Sequence, residues 1–303
     1  MNDHPLPSFG KIALGGATFG REIDQPAAFT LLDHALDRGI TQVDTAAGYS
    51  AGASESIIGA WLQARRPRAL SVATKAIPPY DATTLTTSIQ QSLNRLQVDA
   101  LELFYLHHGH ESITDETLRL LDDMVRVGTI QALGISNIKA TQLAALLQRQ
   151  TELGLARFSV LQCTNNLAVS DLDVATRELC VRYRLAVVTF SPIAAGFLTG
   201  KHQRGVIAQS RFDLIPGHQS IYFKPDPHAR LDALLKLARA TGHPPAHLAL
   251  GWALRHPMAT SVLIGGRTTT HLDQAFAVRT IDDGLFRQLD EIAHLSAPPT
   301  PLP

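Results

Sequence analysis

Eight short apolar runs, each followed by a longer amphipathic stretch, constrain this chain more than any other feature. The runs are Lys11–Gly15, Thr41–Asp44, Leu70–Lys75, Leu101–His107, Ile130–Ser136, Phe158–Gln162, Ala186–Ser191 and Ser261–Gly265. They are rich in Val, Ile, Leu and Phe and bounded by turn residues, as strands covered on both faces should be. Helical spacing fills the intervals at Pro26–Arg38, Ser54–Arg65, Thr83–Leu96, Asp115–Val127, Lys139–Gln148, Asp171–Tyr183, Ala229–Thr241 and His271–Val278. In the first, Phe29, Leu32 and Leu36 fall at i, i+3 and i+7 ahead of Gly39; in the second, Ile57, Ile58, Trp61 and Leu62 share a face. Strands alternating with helices build a parallel sheet. Eight such units in 303 residues favour a closed (β/α)8 TIM barrel over an open sheet.

Two stretches break the rhythm. Gly196–Asp226 has no clean period and reads as a long loop, whereas Pro244–His256 reads as an extra helix opened by Pro244-Pro245. The tail Ala297–Pro303 holds four prolines in seven residues and is expected to be an extended end, a candidate lid. No internal repeat and no linker divides the chain, so one domain over residues 1–303 is expected.

Composition narrows the function. Lys plus Arg is 27 and Asp plus Glu is 27, so the basic excess of a nucleic-acid binder is missing. No uncharged apolar run reaches the roughly 18 residues of a membrane span. Met1-Asn2-Asp3-His4-Pro5 has neither a basic nor an apolar signal region. A cytoplasmic protein is the expectation, with no nucleic-acid or membrane partner and an open oligomeric state. Cys163 and Cys180 make no disulfide framework and lack zinc-ligand spacing. No Gly-x-Gly-x-x-Gly follows a strand, and Gly196-Phe197-Leu198-Thr199-Gly200-Lys201-His202 misses a P-loop by one residue, with His202 in place of Ser or Thr.

In a barrel of this kind the chemistry collects where strands end. Asp44 and Tyr49 follow the second run, Lys75 ends the third, His107 and His108 end the fourth, Ser136-Asn137 the fifth, Gln162 the sixth and Phe190-Ser191-Pro192 the seventh. Asp44, Tyr49, Lys75 and His107 together form a candidate proton-transfer unit. A phenol with an ordinary pKa of about 10 is a poor acid at neutral pH; a nearby ammonium is expected to lower it, and a buried aspartate to keep that ammonium charged. Histidine can bond a substrate carbonyl or relay the proton. Taken singly, each residue has an ordinary role as turn or cap, solvated charge, core histidine or packing ring. Their coincidence on one face favours catalysis. The cluster His107-His108-Gly109-His110-Glu111 leaves a metal-dependent barrel hydrolase or isomerase as an alternative.

At these residues the chain resembles the aldo-keto reductase superfamily, from Gly15-Gly16-Ala17-Thr18-Phe19-Gly20 to Leu263-Ile264-Gly265-Gly266-Arg267-Thr268. The resemblance rests on Asp44-Thr45-Ala46-Ala47-Gly48-Tyr49, Ala73-Thr74-Lys75, Phe104-Tyr105-Leu106-His107, Gly134-Ile135-Ser136-Asn137 and Phe190-Ser191-Pro192. Through Thr74-Lys75-Ala76-Ile77-Pro78 it looks most like the aflatoxin-aldehyde and succinic-semialdehyde reductase branch. The resemblance implies NADPH-dependent reduction of aldehydes or ketones, with Tyr49 as general acid, Lys75 and Asp44 supporting it and His107 orienting the carbonyl. It also implies that Ser136, Asn137 and Gln162 hold the nicotinamide carboxamide and that Phe190 stacks on the ring. Ala17, Thr18, Ser191, Pro192, Ile193, Ala194, Gly196 and Leu198 would contact the cofactor, with Lys201 and Arg211 supplying charge and Gly265, Gly266, Arg267 and His271 receiving the adenosine end. Gln274-Ala275 stands where the family tends to have Glu-Asn, which leaves a contact to adenine open. NADPH is favoured, and NADH stays possible. The substrate, a small carbonyl compound, would meet Phe19, Arg21, Tyr80 and His108. A cofactor-binding regulatory subunit with little catalysis is the alternative within the same fold.

Overall fold

The computed structural model describes residues 8–67, 70–278 and 281–297. Eight strands close into a parallel barrel in sequence order: β1 (Ile12–Gly15), β2 (Gln42–Asp44), β3 (Ser71–Ala76), β4 (Leu103–Leu106), β5 (Leu133–Ser136), β6 (Phe158–Thr164), β7 (Ala186–Phe190) and β8 (Ser261–Gly265). Closure is made where β8 pairs with β1, Ile12 opposite Val262 and Gly15 opposite Gly265.

Helices α1 (Gln25–Asp37), α2 (Ala53–Arg65), α3 (Ala82–Leu96), α4 (Asp115–Arg126), α5 (Ala140–Glu152) and α6 (Val174–Tyr183) each follow their strand. Several start at an acidic or hydroxyl cap: Asp24 accepts from the Ala27 amide, Asp81 from Thr84 and Asp173 from Thr176. Their inner faces and the outer strand faces share one apolar layer. A second, smaller cluster fills the barrel with Ala13, Ala73, Leu103, Tyr105, Ala132, Val160, Val188 and Leu263. Small residues on β1, β3 and β5 leave room for the Tyr105 ring; a Cβ on Gly134 would lie 2.3 Å from it.

The segment expected as a long loop is more ordered than that. After β7 come a 3-10 turn (Ala194–Thr199) and two short helices, α7 (Arg211–Leu214) and α8 (Gln219–Tyr222), before α9 (Pro225–Thr241). An aromatic nucleus organises it: Phe212 packs on Phe223, Tyr222 and His202, and Phe197 on Tyr222, Phe223 and His228, with ring centroids 5.0 to 6.0 Å apart. Those rings come from separate short turns, so no single period announces them.

The extra helix is present as α10 (Pro245–Arg255), and α11 (Thr269–Phe276) follows β8. A further helix, α12 (Asp283–Ala293), lies beyond the eight-unit pattern and packs through Leu289 and Ile292. Of the proline-rich tail only Ala297 is described, its amide donating to Asp226 Oδ1 at 2.8 Å. Residues 298–303, where the lid was expected, and residues 1–7 lie outside the described residues.

Candidate active site

The carboxyl ends of β2, β3 and β4 bring Asp44, Lys75 and His107 to one mouth, and the turn after β2 adds Tyr49. That turn is tight. Ser50 and Ala51 both take left-handed backbone near φ 52°, and Gly52 follows at φ 88°. A Cβ on Gly52 would sit 2.7 Å from Arg95 Nε, so only glycine fits there. Arg95 in turn donates to the buried Glu55, whose other oxygen accepts from Thr74 Oγ1, tying α2 and α3 to the strand that carries Lys75.

Lys75 is fully buried. Its Nζ donates to Asp44 Oδ1 at 2.5 Å, to the Thr45 carbonyl at 2.7 Å and to Tyr49 Oη at 3.4 Å. Asp44 Oδ2 accepts from Gln162 Nε2 at 2.8 Å, so both carboxylate oxygens are used. Burial by itself pulls the Lys75 ammonium down, but Asp44 and Tyr49 outweigh it and hold the group above its ordinary value. Lys75 is therefore a fixed cation at neutral pH.

The expectation for Tyr49 is reversed. Burial raises the phenol above its ordinary value, and the opposing pull of Lys75 does not cancel that rise. A desolvated phenolate is too costly even 3.4 Å from an ammonium, so the resting group is a protonated phenol.

His107 meets the Tyr49 ring edge-on, with centroids 5.7 Å apart, and burial, Lys75 and His108 push its imidazole down to about 3. It is neutral at neutral pH. Its Nδ1 is buried with no partner among the described residues. An orphaned N–H costs more than a bare lone pair, which favours the proton on Nε2.

Across the mouth, the segment after β7 is strained. Ser191, Ala194 and Ala195 are non-glycine residues at φ 52° to 56°, and Gly196 lies at φ 92°. The Lys201 side chain folds over Gly196, where a Cβ would come within 3.2 Å of its Nζ. Burial first, then Arg267 and Lys201, lower His271 below its ordinary value, so the three side chains share one field at the β8 end. Arg267 reaches back across the opening to the Gln209 carbonyl at 3.1 Å, and Thr18 Oγ1 donates to the Gly266 carbonyl at 2.9 Å. Phe190 ends β7 with its ring partly exposed. Strained backbone, a glycine cradle under an ammonium and cations with no carboxylate partner among the described residues fit an anionic nucleotide.

Not every expected contact residue faces that opening. Phe19 and Tyr80 have no exposed surface and belong to the apolar core, so neither touches a substrate as placed. Ser136, Ala194 and Leu198 are likewise enclosed and act as supports. Arg211, expected with Lys201 to supply charge to the cofactor, pairs with Glu22 at 2.7 Å and lies in the field of Arg21, Tyr49 and His218. Glu22, its side chain 3% exposed, bridges Arg21 and Arg211 and was missed. No sequence signal could find the bridge, because Arg211 is 189 residues away. Asn166 was missed too: its Nδ2 holds the Ser191 carbonyl at 3.0 Å, and the polar pair Asn165-Asn166 after β6 is a signal that could have found it. His110 Nδ1 is engaged by Ser112, and among the described residues no group of three or more His, Cys, Asp or Glu side chains could hold a metal ion.

Comparison with known proteins gives a consistent picture. The aldo/keto reductase family model matches residues 11–294. The chain is 31% identical over 314 residues to the uncharacterized oxidoreductase YrpG of Bacillus subtilis (strain 168), covering 93% of this chain and 91% of that protein. It is 31% identical over 212 residues to aflatoxin B1 aldehyde reductase member 2 of Homo sapiens, covering 67% of this chain and 58% of that one. Among solved structures, the glycerol dehydrogenase AKR11B4 of Gluconobacter oxydans superposes with a TM-score of 0.77 at 24% identity, over 97% of this chain and 95% of its own.

Proposed function

The chain belongs to the aldo/keto reductase family, and from that premise we propose that it reduces aldehydes or ketones to alcohols with NADPH, Tyr49 delivering the proton. The observation that carries this reading is the buried Lys75 ammonium, held by Asp44 and aimed at Tyr49 Oη.

When bound, the reduced nicotinamide supplies the hydride to the carbonyl carbon. The chain's own groups handle the oxygen. His107, neutral with its proton on Nε2, donates to the carbonyl oxygen and fixes its direction. Tyr49, protonated at rest, hands its proton to the same oxygen as negative charge builds there. Lys75 stabilises the phenolate left behind, and Asp44 with Gln162 keeps Lys75 charged and in place. Each group is preorganised, so little rearrangement accompanies the step.

The Lys201, Arg267 and His271 cluster supports NADPH over NADH, because a 2′-phosphate brings charge that these groups lack in the described structure. Gln162 offers its amide oxygen to a carboxamide, since its nitrogen is committed to Asp44, and Phe190 offers a stacking face. At the position of the family's Asn, Ala275 is buried and brings no polar side chain to adenine. Arg21 and His108 are the expected substrate contacts that reach the surface.

Titrating the protein with NADPH and separately with NADH, followed by nucleotide fluorescence, and then assaying NADPH oxidation with a panel of aldehydes tests the reading. Tighter NADPH binding with aldehyde-dependent turnover is expected. Binding of neither nucleotide would overturn it.

A further inference from the structure

We propose that His108 is a positioning residue that holds the His107 imidazole by stacking on it, and that the buried Tyr80 holds His108. The proposal takes the carbonyl-reduction reading as its premise and adds the source of the His107 orientation.

A histidine that must present one nitrogen to a substrate usually has its ring plane set by a hydrogen bond at the other. His107 makes none there: its Nδ1 is buried without a partner among the described residues. Packing has to do the work, and two rings touch it. Tyr49 meets it at 78°, restraining one edge, whereas His108 lies parallel at 8° with centroids 4.7 Å apart. Only the parallel contact defines the plane of the imidazole.

That arrangement is not what a strand would give. Consecutive strand side chains point to opposite faces, yet these two rings lie on one side because the chain turns as it leaves β4. The turn is pinned. His107 donates its backbone N–H to the Ala76 carbonyl at 3.0 Å, and His108 donates its own to Tyr80 Oη, also at 3.0 Å. Tyr80 is fixed from several sides: its amide donates to Ser112 Oγ at 2.9 Å, its carbonyl accepts from Thr117 Oγ1 at 2.9 Å, and its hydroxyl donates to the Ala76 carbonyl at 3.4 Å. Burial pushes the Tyr80 phenol up to about 12, so its hydroxyl keeps the proton that lets it donate and accept at once. The His108 ring itself is exposed, so altering it leaves the core intact.

The test compares His108→Ala, His108→Phe and Tyr80→Phe with the wild type. In His108→Ala, kcat should fall about tenfold, because a loosely held orienting group loses near-attack geometry. The NADPH Kd and the thermal midpoint should not move. His108→Phe restores a flat ring and should recover most of the kcat lost in His108→Ala, whatever its effect on KM, since His108 is also an expected substrate contact; Tyr80→Phe should lie between. Wild-type kcat in the Ala variant, or a Phe variant as slow as the Ala one, would overturn the proposal. A readout independent of turnover is the ring-current shift of the His107 carbon-bound protons by NMR. It should be upfield in wild type and His108→Phe and relax in His108→Ala. Should the wild type turn over no aldehyde, the functional reading fails while this shift still decides the stack: its persistence in His108→Ala overturns it.

Discussion

The two sides of the barrel mouth are built on opposite plans. On the side of β2, β3 and β4, every charge has its partner inside the protein: Lys75 on Asp44 and the Thr45 carbonyl, Asp44 also on Gln162, Glu55 on Arg95 and Thr74. On the side of β7 and β8, Lys201, Arg267 and His271 stand together with no carboxylate partner among the described residues, over backbone held in left-handed conformations. A proton-transfer unit must have its charges placed before the substrate comes, because reorganisation adds to the barrel's catalytic barrier. A nucleotide site needs the reverse: charge left unpaired until the ligand supplies its partner. The two plans should separate cleanly under substitution.

The largest effect is expected on the closed side. Tyr49→Phe keeps the ring and removes the acid, so kcat should fall by roughly 10²- to 10⁴-fold while the NADPH Kd stays put. Near-wild-type turnover would break the comparison at its centre.

Lys75→Met comes next and should hit stability as well as rate. It strands a buried Asp44, and removing one partner of a buried pair costs about 3–5 kcal/mol. A thermal melt reads this directly, and an unchanged midpoint would show that Asp44 is not held as described.

On the open side Arg267→Ala should do the opposite. Losing a charge-assisted contact of about 1.5 kcal/mol weakens NADPH roughly tenfold and leaves NADH, kcat and the melt nearly unchanged. Equal loss for both nucleotides would place the 2′-phosphate elsewhere.

The smallest effect is a matter of pH. Burial pushes the His256 imidazole down to about 4, below its unfolded value. The folded chain therefore binds that proton more weakly than the unfolded chain does, and the stability linked to it is present above about pH 6.5 and lost as pH falls towards 4. His256→Asn should make that part of the stability profile less steep, with His107 keeping its own share. Between pH 6 and 9 the reduction rate should stay level, since His107 is already neutral and Tyr49 still protonated.

How much of this was legible differs between the same two regions. The eight strands and their helices could be read because buried parallel strands are continuous apolar runs and the helices carry a 3.6-residue stripe. The strand-end residues Asp44, Lys75 and His107 could be read because a polar group ending such a run is conspicuous. Phe19 and Tyr80 were misjudged because an aromatic in a loop looks the same in sequence whether its ring turns outward or into the core. The aromatic nucleus of Phe197, Phe212, Tyr222 and Phe223 has no period to betray it, and α12 carries helical spacing but is not demanded by an eightfold pattern.

By itself, then, the order of residues determined the β/α alternation, the barrel and the residue types at the strand ends, because these follow from local periodicity and from where apolar runs stop. Tertiary structure alone decided that burial outweighs Lys75 at the Tyr49 phenol, that Arg211 pairs with Glu22 and that the His107 and His108 rings lie parallel. Each of these depends on burial and on distances between groups brought together by folding, and neither quantity is written in a linear pattern.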